Sequence, residues 1–73
     1  MKTTINKDKK LLGMKLKQIR ENKQMTQAMV ATKANITINY YARIERGEEN
    51  PSFEILKGLS VALKIKSSDI LPF

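Results

Sequence analysis

The stretch ITINYYARIERG, Ile36–Gly47, decides how the chain is read. Thr37 is a good helix N-cap, because its hydroxyl can take up one of the unpaired first-turn N–H groups. Gly47 is a good stop, because glycine accepts the left-handed backbone that closes a helix. Ile36 before the cap and Tyr41 four residues after it have the hydrophobic-staple spacing. Tyr41 and Ile44 lie three apart and mark the inner face. Ile38, Asn39, Tyr40 and Arg43 are then left over, on a side that one short helix cannot bury.

Outward from this stretch the chain reads as five short helices and no strand. The first runs from about Lys7 to Asn22, with Leu12, Leu16 and Ile19 on one stripe and lysines opposite. The second begins at N-cap Thr26, with Met25 and Val30 at staple spacing and a narrow inner face of Val30, Ala31 and Ala34. It ends at Asn35, the non-glycine residue that best tolerates positive φ. The third is Thr37–Gly47. The loop EENPS supplies Pro51 and then Ser52 as the N-cap of a fourth helix. That helix runs to about Leu63, with Phe53, Leu56, Leu59, Ser60 and Leu63 inward. Ile65 continues the core. A last turn, Ser67 to Leu71, stops against Pro72.

Composition narrows the function. The 73 residues form a single domain, 1–73, with a flexible basic arm expected over residues 1–8. The net charge is +7, and residues 1–24 hold 8 of the 14 basic side chains against Asp8 and Glu21 alone. Such a basic third suits a polyanion, either nucleic acid or an anionic membrane, or else forms a solvated lysine-rich face. There is no apolar run of about 18 residues to span a membrane and no signal-peptide pattern. With 0 Cys and 0 His, thiolate chemistry and the commonest general base and metal ligand are missing. The glycines, Gly13, Gly47 and Gly58, form no phosphate loop, and the carboxylates form no metal-ligand pattern. The expectation is a cytoplasmic protein that is not an enzyme and uses no metal or cofactor.

Two short helices joined by a tight turn, the second carrying surplus polar and aromatic residues, form a helix-turn-helix signature. Residues 11–71 resemble the Cro/CI family of helix-turn-helix domains, the xenobiotic-response-element type. The likeness rests on Arg20, Thr26-Gln27, Ala31, Ile44-Glu45-Arg46-Gly47 and Asn50-Pro51-Ser52 in register. Among small members it resembles phage-type repressors and restriction–modification controller proteins.

The resemblance implies an all-α, compact five-helix bundle of the lambda-repressor-like kind, binding double-stranded operator DNA as a homodimer. It implies a structural salt bridge between Arg20 and Glu45, and a DNA-backbone contact from Gln27. The third helix becomes the recognition helix. Asn39 suits adenine N6/N7, Arg43 suits guanine O6/N7 or a phosphate, Ile38 suits the thymine methyl, and Tyr40 suits a thymine methyl with its ring or a phosphate with its hydroxyl. Thr37, Arg46 and Lys17 are candidate backbone contacts. Ile55, Val61 and Ala62, with Leu71 and Phe73, are the candidate dimer interface, which makes the operator a palindrome. Asn35 stands where the family usually has Gly, Ile38 where a polar residue is common, and Glu48-Glu49 where phosphates would favour basic residues. The alternative reading is a protein-binding module, antitoxin-like or anti-activator, using the same helix surface, since exposed Tyr, Ile and Arg also mark protein interfaces.

Overall fold

The computed structural model describes residues 2–70. Four α-helices follow in order: α1 Lys2–Asn22, α2 Gln27–Ala34, α3 Ile38–Glu45 and α4 Phe53–Leu63. The expected fifth helix is instead a single 3₁₀ turn, Ser67–Asp69, so the bundle has four helices. Three residues close one such turn, with the Asp69 N–H on the Lys66 carbonyl at 2.9 Å and the Asp69 carboxylate accepting from the Lys66 N–H at 3.0 Å. Helix α1 begins at Lys2, ahead of the expected Lys7, so it includes residues 2–8 of the segment expected as an arm. No strand occurs among the described residues.

Each N-terminus downstream of α1 is set by a hydroxyl. Thr26 accepts from the Met29 N–H at 3.0 Å, Thr37 from Tyr40 at 3.1 Å and Ser52 from Ile55 at 3.2 Å. The helices end in left-handed residues: Gln24, Asn35, Gly47 and Lys64 all have positive φ. At each of these ends a 6→1 bond satisfies a terminal carbonyl, as Ile36 N–H does for Ala31 (3.0 Å) and Glu48 N–H for Arg43 (2.9 Å). Sharp ends of this kind let the short helices fold back on one another within a few residues.

The core is Leu12, Leu16, Val30, Ala31, Tyr41, Ile44, Leu59, Ala62, Leu63 and Ile70. Helix α1 packs on α3, and α2 packs on both α3 and α4. The α1–α3 seam is very close at Gly13. A Cβ there would overlap the Glu45 carbonyl oxygen and sit 2.5 Å from that of Ile44, so only glycine fits.

Helix α4 departs from the expected pattern on both flanks. Phe53, expected inward, is 84% exposed. It lies in the first turn, about 100° round the helix from the middle of the buried stripe. Ala62, expected outward at a dimer interface, is buried, and Ile55 packs against the core. The nearest atom to a Cβ on Gly58 is the Ala34 carbonyl oxygen at 3.6 Å. The end of α2 therefore lies along this side of α4 and covers the residues beside Gly58.

Candidate nucleic-acid interface

The orientation of α3 is fixed from below by one ion pair. Arg20 on α1 donates through Nε to Glu45 Oε2 at 2.6 Å and through Nη2 to Oε1 at 3.1 Å. Its Nη1 donates to the Met25 carbonyl at 2.9 Å, in the turn before α2. Gln27, at the start of α2, donates from Nε2 to Glu45 Oε1 at 3.0 Å. Three side chains and one carbonyl thus tie α1, α2 and α3 at a single node, with the Glu45 side chain 3% exposed.

The electrostatics follow from that burial. Desolvation pushes the Glu45 carboxyl up, but the hydrogen bonds of Arg20 foremost, then the nearby Tyr41 hydroxyl and the hydrogen bond of Gln27, hold it below its ordinary range. The Arg20 guanidinium is raised by the same hydrogen bond against its own partial burial. The Tyr41 hydroxyl is raised by burial first and then by the neighbouring carboxylate. It lies in the field of Glu45 without closing a hydrogen bond of good geometry.

With its inner side pinned by Tyr41, Ile44 and Glu45, α3 presents the opposite side outward. Helical spacing of about 100° per residue puts Asn39 and Arg43 near the middle of that side. Both are exposed, as is Arg46 just past the helix end. Ile38, 50% exposed, lies at one flank. Tyr40 lies at the other and is half-buried against the core, so only part of its ring is available, contrary to the fully outward placement expected. Thr37 is exposed, with its hydroxyl oxygen used as the cap of α3. Lys17 is exposed on α1.

Gln27 differs from the expected backbone contact in one respect: an amide hydrogen is committed to Glu45, leaving the other for an outside partner. Val61 is 71% exposed on the outer side of α4, and Phe53, absent from the expected interface, joins it there. Leu71 and Phe73 lie outside the described residues.

Sequence reading also missed the treatment of the two exposed arginines. Arg43 Nε lies 3.2 Å from Glu49 Oε2. Arg46 pairs with Glu48 through two bonds, Nε to Oε2 at 2.9 Å and Nη2 to Oε1 at 3.2 Å. Gly47, at φ 76°, reverses the chain so that the two glutamates return beside the helix they have just left. The signal was present in the spacing: carboxylates one and two residues beyond a glycine stop fall back along the last turn.

This arrangement can be set beside known proteins. A helix-turn-helix family model matches residues 16–70. The immunity repressor protein of Bacillus phage phi105 is 40% identical over 60 residues, covering 82% of this chain and 42% of the repressor. This chain therefore spans less than half the length of that relative. Control protein C.BamHI of Bacillus amyloliquefaciens is 36% identical over 64 residues, covering 86% of this chain and 79% of that protein. Among solved structures, the restriction-modification controller protein C.AhdI from Aeromonas hydrophila superposes with a TM-score of 0.86 at 26% identity, over 88% of this chain and 97% of that one. The clp gene regulator ClgR from C. glutamicum gives 0.81 at 27% identity, over 85% and 80%. With its capped helix pair, its node beneath α3 and these likenesses, the chain belongs to the helix-turn-helix family of the Cro/CI type.

Proposed function

We propose that the chain is a sequence-specific double-stranded DNA-binding transcriptional regulator, acting as a homodimer at a palindromic operator. The observation that carries this reading is the outer side of α3. Asn39 and Arg43 stand exposed there, on a helix held at a fixed angle from beneath by Arg20, Gln27 and Glu45. A major groove admits one α-helix, and these two side chain types are the ones that pair bidentately with adenine and guanine. Ile38 and the free part of Tyr40 supply apolar contact for thymine methyl groups. Thr37, Gln27, Arg46 and Lys17 surround them as phosphate contacts. The names of the relatives point the same way: one is an immunity repressor, two are controller proteins and one is a gene regulator.

Homodimer formation is assigned to the outer side of α4, where Phe53 and Val61 stand exposed with Ile55 at the edge. A two-fold pair would then place two α3 helices on one face of the duplex, about 34 Å apart. Occupying a promoter in this way controls polymerase access. No helix among the described residues is long and apolar enough to cross a membrane, and a cytoplasmic location suits a DNA partner.

The test is selection of duplexes by the full chain from a random library, followed by a salt titration of the selected site. The expected result is a two-fold symmetric site, with log K falling linearly as log salt rises by about 0.9 per phosphate contact. A flat salt dependence with no enriched sequence would overturn the reading in favour of a protein partner on the same surface.

A further inference from the structure

The loop after α3 places two carboxylates beside the two arginines of the outer surface, where they offset the charge offered to an anionic partner. The geometry of the two pairs differs. Glu48 takes Arg46 along its Nε–Nη2 edge in a two-bond pair, 2.9 and 3.2 Å, with both side chains more than half exposed. Glu49 faces Arg43 in a looser ion pair, with its shortest contact from Nε to Oε2 at 3.2 Å and no two-bond hydrogen-bonded match of the kind Arg46 makes. The Nη1–Nη2 edge of Arg43 remains a fork of N–H donors pointing away from the stem. The Arg43–Glu49 pair is also the less exposed of the two, at 48% and 33%.

The loop backbone that carries these carboxylates is tied to α3. Gly47 N–H bonds to the Ile44 carbonyl at 3.0 Å and Glu48 N–H to the Arg43 carbonyl at 2.9 Å, which locks the turn onto α3. Pro51 is buried at the other end. The backbone that carries Glu49 is therefore held beside α3.

From this geometry we propose that Glu49 is a specificity-determining residue, which positions Arg43 for a guanine edge and disfavours its use on phosphate. The inference rests on the DNA-binding reading. Pairing with a phosphate draws on net charge, and a guanidinium already matched by a carboxylate offers little of it. Pairing with guanine O6 and N7 draws on two directed donors, which the Nη edge keeps and Glu49 orients. Glu48 acts differently. By occupying the Nε–Nη2 edge of Arg46, it lowers the sequence-independent part of binding and leaves base discrimination untouched. Together the two glutamates shift the balance from affinity for any duplex toward preference for one.

The test uses the full chain, a duplex selected by the wild type and a scrambled duplex of equal length, each titrated over a range of salt. Glu49→Gln is expected to tighten binding to the scrambled duplex and to steepen its salt slope by about one. It should also cut the preference for the selected duplex by about tenfold, the order of one lost bidentate contact. Glu48→Gln should tighten both duplexes by the same factor. In an Arg43→Ala background the effect of Glu49→Gln on preference should vanish, because Glu49 acts through that arginine. Both glutamine variants should melt with the wild type. A Glu49→Gln protein with unchanged preference and slope, beside a wild type that does prefer its selected site, overturns the role of Glu49 alone. A wild type that binds no duplex overturns it together with the reading of the function.

Discussion

Three arginine–glutamate pairs surround α3 among the described residues, and two kinds of region hold them. Beneath the helix, Arg20 and Glu45 meet at side-chain exposures of 12% and 3%, with Gln27 and the Met25 carbonyl completing the node. Above it, Arg43–Glu49 and Arg46–Glu48 stand in solvent. The chemistry is the same and the consequences differ. In the buried pair each charge is already out of water, so losing one partner strands the other. In the exposed pairs either partner can fall back on water, and salt screens what remains. The first pair sets where α3 points. The others are the pairs proposed to tune what α3 touches.

The sharpest way to break this contrast is to remove one carboxylate from each region. Glu45→Ala should cost about 3 kcal/mol, because Arg20 loses both bonds to it and Gln27 loses one. In a domain of this size that lowers the melting midpoint by more than about 10 °C. Glu48→Ala should leave the midpoint where it was. Equal shifts in thermal unfolding would erase the distinction.

Next in size is Gly13→Ala. The new methyl would press on the backbone carbonyls of Ile44 and Glu45, prising α1 from α3 at the level of the node. Overpacking of this kind costs about 2 kcal/mol, readable as a lower denaturant midpoint at unchanged slope.

A pH series sharpens the comparison further. The Glu45 carboxyl is held below its ordinary value in the folded state. Its contribution is therefore complete above the unfolded value of about 4.5 and is lost as pH falls through the lower folded value. Glu45→Gln should lose stability at neutral pH and show a flatter profile below about pH 4.5, when unfolding midpoints are followed from pH 7 to pH 3. A parallel acid profile in the variant would mean that some other carboxylate governs that window.

The smallest effect lies away from both regions. Lys64 closes α4 with φ 57°, a conformation that costs a side-chain-bearing residue about 1 kcal/mol. Lys64→Gly should raise the unfolding free energy by slightly less than that, since glycine also loosens the unfolded chain. A decrease would show that the left-handed end is not what limits this helix.

Much of this was legible beforehand, for local reasons. Thr26, Thr37 and Ser52 announce helix starts because a short hydroxyl side chain bonds the nearby backbone, and Asn35 announces a stop because it tolerates positive φ. These are events within a few residues of the chain. The inner face of α3 was legible from the spacing of Tyr41 and Ile44, and its outer face from what they left over. What escaped reading depends on neighbours distant in sequence. Periodicity marks the stripe of α4 but not which flank meets α2, so Phe53 and Ala62 exchanged places. Gly13 gave no sign of its role, because close helix approach is a property of the seam with α3. Gln27 reads from sequence as a DNA-backbone contact, and its bond to Glu45 depends on a residue 18 positions away. Glu48 and Glu49 read as a liability for an anionic partner, because the return of the chain at Gly47 was not carried through to the arginines it reaches.

The central claim is that the outer side of α3, held by the node beneath it, reads base edges. Its most direct test is the binding of Asn39→Ala to the wild type's selected duplex, to single-base variants of it and to a scrambled duplex. The account predicts a loss of discrimination of about 1–3 kcal/mol confined to one or two base pairs, with scrambled-duplex affinity unchanged. An equal loss on every sequence would contradict it.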